Sequence, residues 1–287
     1  MTAILRHELS SYFTNVTGYV FGAFLLLFAG IYTMVINLQS ASPYFEYVLM
    51  NMDFIFLIIV PILTMRVIAE ERRQKTDQLL YSLPLTMTQV ALGKYLAMLV
   101  IFLIPVAIIG VYPLVLTAFG DVYLPAAYGA LAGFFFLGAS LIAIGMFISS
   151  LTESQGMAAG LCVVVMLFCY YSASLADYIS STAFNVAALL VLSALLAMLV
   201  RRLTRSDVAG LIILTLCVAA VVITWLVSPT SLETLIPDLM NQLSLFERFY
   251  TFVNGVFDVT AIIYYISVAV FFLFLCVQSW EKKRYNG

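Results

Sequence analysis

Apolar runs of helical length alternate along the chain with short polar passages, and this alternation sets the first expectation. A helix that crosses a bilayer needs about 20 mostly apolar residues. Runs at 17–37, 53–69, 95–118, 124–149, 157–176, 184–200, 208–227 and 259–279 meet or approach that length. They predict an all-α, polytopic transmembrane helix bundle of about eight spans. The run 184–200 is short, and 53–69 carries Pro61 and Arg66. The alternative is six spans plus a re-entrant hairpin built from 184–200 and 208–227. Arg201, Arg202 and Arg205 lie between those two runs and favour full crossings, because a re-entrant turn would hold the cluster at the wrong depth.

The segments between the runs carry their own patterns. In residues 1–16, Leu5, Leu9, Tyr12 and Phe13 fall on one helical face, and Arg6, His7, Glu8, Ser10 and Ser11 on the other. This predicts an N-terminal amphipathic helix lying in the membrane interface. It does not read as a cleavable signal, because the apolar run that follows is too long. Residues 228–258 carry Leu232, Leu235, Ile236 and Leu239, then Phe246, Phe249, Tyr250 and Phe252, which suits short amphipathic helices at or dipping into the opposite surface. No linker or low-complexity tract divides the chain, so 1–287 reads as one domain.

Composition agrees with a membrane protein: 64% of the 287 residues are hydrophobic and 10% charged. The formal net charge of -2 gives no basic field, which argues against nucleic acid as a partner. The positions of the cations say more than their number. With the N-terminus inside, twelve of the 13 Lys and Arg residues fall on the inner side, and only Arg248 lies outside. The positive-inside rule then places both termini in the cytoplasm and requires an even number of crossings.

Several chemistries lack their residues. Ion-driven carriers keep ionisable side chains inside the membrane, and the middle of each expected span has none: Asp53 starts its helix at the outer interface and Arg66 snorkels to the inner one. The single histidine, His7, lacks the second histidine of a zinc-protease helix. The pair Gly93-Lys94 has no properly spaced glycine before it and is not a phosphate-binding loop. Cys162, Cys169, Cys217 and Cys276 all sit in apolar runs, as buried small residues do. Asn15-Val16-Thr17 spells a glycosylation sequon on the cytoplasmic side, where it has no use. The expected chain is not an enzyme and holds no metal or cofactor. Energy for uphill work would come from another chain.

Residues 70–94 form the largest cytoplasmic loop. Glu71 and Lys75 are spaced to pair along a helix. Thr76 can cap a short helix with Asp77 in its first turn, Leu79, Leu80 and Leu83 share one side, and Pro84 ends it. Thr86-Met87-Thr88-Gln89 then forms a capping box, with Leu85 and Val90 placed as its hydrophobic staple. A new helix starts there and feeds the third span. The short helix either rests its leucines on the membrane surface or inserts them into a groove on a cytoplasmic partner.

The segment Lys75-Thr-Asp-Gln-Leu-Leu-Tyr-Ser-Leu-Pro-Leu-Thr86, followed by Val90-Ala-Leu-Gly-Lys-Tyr-Leu96, resembles the coupling-helix region of ABC-2 type transporter permeases. The likeness is greatest to the gliding-motility-type and nitrous-oxide-cluster-type branch. Lys75 stands for the family's glycine and Gln78 for its glutamate. Arg6 to Phe13, Ser149 to Gln155, Leu245 to Phe249, Asn254 to Asp258 and Glu281 to Arg284 are similar to further family segments, in order along most of the chain.

The resemblance implies one ABC-2 type transmembrane domain over 1–287, acting as the permease subunit of an ATP-driven transporter, an exporter. Its docking residues would be Glu71, Arg72, Thr76, Asp77, Leu79, Leu80, Ser82 and Pro84. ATP and Mg would sit on a separate ATP-binding subunit. A second permease copy or paralogue would complete a dimer, with an auxiliary extracytoplasmic protein and membrane lipid as further partners. Of the small-xxx-small pairs, Gly129 and Gly133 would serve internal packing, while Gly18, Gly22, Gly156 and Gly160 are the dimer-interface candidates. The rival readings are a membrane anchor or assembly subunit that uses an ATPase without moving a solute, and an ATP-independent carrier.

Overall fold

The computed structural model describes residues 2–14, 16–69, 86–178 and 237–286, with scattered positions between 187 and 218. Among these residues every regular element is helical. Helix α1 (Thr2–Thr14) is followed after one residue by α2 (Val16–Thr33), which continues as a wider π-helical segment, Met34–Gln39. Then α3 (Glu46–Met52), a tighter turn at Asp53–Ile55 and α4 (Phe56–Thr64) run on as one rod. Helix α5 (Met87–Ile109) is extended by α6 (Tyr112–Leu116), and α7 (Leu124–Leu151) and α8 (Gln155–Tyr178) complete the first five apolar rods. Short α9 (Leu245–Val253) precedes the last, α10 (Val259–Asn286).

Among the described residues, six helices are long and apolar enough to cross a membrane: Val16–Gln39, Glu46–Thr64, Met87–Leu116, Leu124–Leu151, Gln155–Ala176 and Val259–Lys282. They match six of the expected runs. The runs 184–200 and 208–227 lie outside the described residues, save for a few helical positions. Two boundaries move. The second rod begins at Glu46 instead of 53, because Phe45, Val48, Leu49 and Met52 are fully buried along one face while Glu46, Asn51 and Asp53 between them dilute the average hydropathy. The third begins at Met87, as the capping box anticipates: the Thr86 hydroxyl accepts the Gln89 amide at 3.3 Å. Leu85 lies outside the described residues, whereas Val90 is buried.

The chain divides into two compact units, Met1–Tyr170 with Leu245–Gly287, and Tyr171–Ser244. In the second, the described residues are mainly the last turns of α8 and a helical stretch over 237–243, where Leu239 is exposed. In the first, α7 is the central rod, packed against α3, α4, α5, α9 and α10. Its glycines make this possible. A methyl group on Gly138 would stand 2.5 Å from the Phe102 ring and 3.0 Å from that of Phe56, and one on Gly133 would stand 2.8 Å from the Phe252 ring. The space so left holds an aromatic cluster: Phe56 and Phe134 lie 4.6 Å apart, Phe102 stacks on Phe135 at 5.7 Å, and Phe249 joins at 6.1 Å from Phe134. The outer surface is apolar, with Leu27, Ile31, Ile263, Val270 and Phe274 exposed, as suits a chain whose solvent is lipid.

Candidate functional site

The docking residues expected from sequence, Glu71, Arg72, Thr76, Asp77, Leu79, Leu80, Ser82 and Pro84, all lie outside the described residues. The two roots of their loop are described, and they are tied to most of the bundle. Regular helix ends at Thr64, and the chain continues as turns through Ile68. A helix C-terminus leaves its last carbonyls without partners in the helix. Here other elements supply donors. Tyr12 Oη of α1 donates to the Leu63 carbonyl at 3.3 Å, Ser149 Oγ of α7 to that of Met65 at 3.3 Å, and Lys94 Nζ of α5 to that of Val67 at 3.4 Å. The Ser149 hydroxyl also accepts the Ala69 amide at 3.3 Å.

Lys94 has a second and shorter contact. Its ammonium lies 2.6 Å from Glu8 Oε1 of α1, with the lysine side chain 2% exposed and the glutamate 14%. This corrects the expected faces of the interfacial helix. Glu8, expected on the polar face, points inward. A buried ammonium needs an adjacent anion, and that requirement overrides the apolar pattern. Arg66 is also held, donating to Thr17 Oγ1 at 2.8 Å. On the far side, Ser279 Oγ of α10 donates to the Ser150 carbonyl at 3.4 Å. The segments expected inside, residues 1–16, the loop roots, 149–155 and the end of α10, therefore gather at one end of the bundle.

The opposite end holds a further acidic side chain deep in the second rod, Asp53. Asp53 does not start its helix: it lies two turns into the rod, is 2% exposed, and its Oδ2 accepts Tyr250 Oη at 2.8 Å. The expectation that Asp53 starts its helix at the outer interface is thus corrected, and Lys94, expected just before the third span, lies two turns inside its rod, each because its helix starts earlier. Burial, and then the adjoining Asp53 carboxylate, push the Tyr250 phenol well above its ordinary range, so its hydroxyl remains a donor. Tyr250 belongs to α9, whose Leu245, Phe246, Phe249, Phe252 and Val253 are buried. The amphipathic helix expected at this surface is therefore wedged into the bundle. Arg248, the cation expected outside, lays its guanidinium 4.1 Å over the Tyr264 ring. Asp258 caps α10 through the Thr260 amide at 2.8 Å, and the Thr260 hydroxyl bonded to it holds its carboxyl below the usual range.

The glycine candidates separate by what surrounds them. A methyl on Gly18 would lie 2.9 Å from the Tyr12 carbonyl oxygen, and one on Gly129 or Gly133 would meet Phe257 or Phe252, whereas Gly22, Gly156 and Gly160 face open space. Cys162 is buried with its sulfur 3.9 Å from Thr64 Oγ1, in keeping with a packing role; Cys217 lies outside the described residues.

The model of the family described as ABC-2 family transporter protein matches residues 7–280. The chain belongs to that family. No curated protein matches it. As an ABC-2 family member it is a multi-pass protein of the cell membrane, the permease subunit of an ABC transporter, working with an ABC ATP-binding subunit and not itself the ATPase. The pairs that tie the loop roots were not visible beforehand. Glu8 and Lys94 each stand in a segment that resembles the family, Arg6 to Phe13 and Val90 to Leu96, but nothing in one sequence joins positions 86 residues apart.

Proposed function

We propose that this permease is driven through residues 70–94, which form a cytoplasmic coupling helix received by the ATP-binding subunit. The observation that supports this most is the bracing of the loop's first root, at the end of α4, by α1, α5 and α7 through the Leu63, Met65 and Val67 carbonyls. A displacement of the loop cannot be absorbed locally, because the carbonyls and amides at its base are already engaged. Glu71, Arg72, Thr76, Asp77, Leu79, Leu80, Ser82 and Pro84 make the docking contact, with Leu79 and Leu80 as its apolar anchors. ATP and Mg are bound by the partner, and their binding draws the two ATP-binding subunits together.

In this reading the positive-inside rule assigns the end that carries Glu8 and Lys94 to the cytoplasm, and both termini with it. The chain is one transmembrane domain of an exporter in the gliding-motility-type or nitrous-oxide-cluster-type branch. It works as a homodimer or heterodimer whose shared face includes Gly22, Gly156 and Gly160, while an auxiliary protein supplies the extracytoplasmic domain that the short outer segments lack. Replacing Leu79→Asp together with Leu80→Asp tests the docking role. Co-purification with the ATP-binding subunit should be lost while membrane insertion is kept; unchanged co-purification would overturn the proposal.

A further inference from the structure

We infer that the corner between α2 and α3 binds a small monovalent cation, with the Glu46 carboxylate and the Asn37 side-chain oxygen among its ligands. Both residues are buried, Glu46 to 5% exposure and Asn37 to 8%. Asn37 carries the covered stripe of α2, made by Phe21, Leu25, Ala29 and Thr33, into the π-helical segment. Its Nδ2 donates to the Ser42 carbonyl at 2.8 Å. That bond fixes which end of the amide is oxygen and ties the end of α2 to the stretch leading into α3. Glu46 opens α3, and α3 packs on α2.

The oxygens that remain are acceptors without donors. Among the described residues, none donates a hydrogen bond to Asn37 Oδ1 or Glu46 Oε2, although both atoms are shielded from solvent. A carboxylate shielded in this way is costly unless a positive group meets it. Asp53, two turns further along the rod, shows the contrast, because its Oδ2 receives Tyr250 Oη at 2.8 Å. The chain has little positive charge to offer at this end. Of its 13 Lys and Arg residues, only Arg248 is expected there, and its guanidinium lies over the Tyr264 ring at 4.1 Å. The compensating charge therefore comes from solution.

The ligand atoms select the class of ion. One carboxylate with carbonyl-type oxygens suits a singly charged alkali ion. Calcium takes about 6–8 oxygens, commonly from several carboxylates, and no group of three or more His, Cys, Asp or Glu side chains that could hold a metal occurs among the described residues.

Thermal unfolding of the full-length chain, purified in detergent, tests the inference in sodium, potassium or choline chloride at one ionic strength. Sodium or potassium should raise the melting temperature above that in choline by about 3 °C, and the rise should saturate as the ion is titrated. Glu46→Gln keeps the shape and removes the charge, so it should abolish the rise and melt in choline above the parent. Asp53→Asn should keep the rise, whatever its own effect on stability. Equal melting temperatures of the parent in all three salts would overturn the inference. A rise that survives in Glu46→Gln or vanishes in Asp53→Asn would do the same, because the ion would then act elsewhere. Where Glu46→Gln does not fold, equilibrium binding of radioactive sodium and rubidium to the parent decides: saturable binding of either supports the inference, and binding of neither overturns it.

Discussion

At the scale of single residues, three ionisable side chains paired inside the bundle organise its two ends: Glu8 with Lys94 at one, Asp53 at the other. Removing one member of a buried pair strands its partner, so Glu8→Ala should cost about 3 kcal/mol. The double variant Glu8→Ala with Lys94→Met should recover most of it. Thermal unfolding of the purified chain in detergent checks both. At Asp53, Tyr250→Phe removes the bonded hydroxyl and should cost about 1–3 kcal/mol, more than Asp53→Asn, which keeps an acceptor for Tyr250 and removes the buried charge. Equal losses in the same melts would mean that the bond does not seat α9. None of these partnerships was legible in the sequence. Hydropathy patterning assigns a side chain to a face by its own polarity, and it places Glu8 outward because it cannot see Lys94 arriving from another helix.

At the scale of elements, each of the six described rods was legible, in order, since a run of about 20 apolar residues has few other uses. The boundaries were legible only where local chemistry marks them. The capping box located the start of α5 at Thr86, while hydropathy alone placed it near Tyr95. No such signal marks Glu46, and the first two turns of the second rod were missed. The glycines were legible as small, but their partners were not. Gly138→Ala drives a methyl against two rings and should lower the thermal stability of the isolated chain by about 2 kcal/mol. Gly22→Ala, Gly156→Ala and Gly160→Ala should leave it unchanged and weaken only the dimer, read from the oligomeric state on gel filtration.

At the scale of the whole molecule, the polarity of the bundle decides what it does. Its lateral surface is apolar, one end carries the ion pair and the roots of residues 70–85, and the other is wedged by α9 through Phe249, Phe252 and Tyr250. The distribution of cations predicts a matching asymmetry, with the loop end inside, and under the coupling role proposed above energy enters at the end that carries the loop. The most direct measurement places a photo-crosslinking amino acid at Leu80 in the assembled complex in its native membrane. The account predicts a covalent adduct with the ATP-binding subunit. An adduct at that position with an extracytoplasmic protein, or none with the ATP-binding subunit while the complex stays intact, would contradict it.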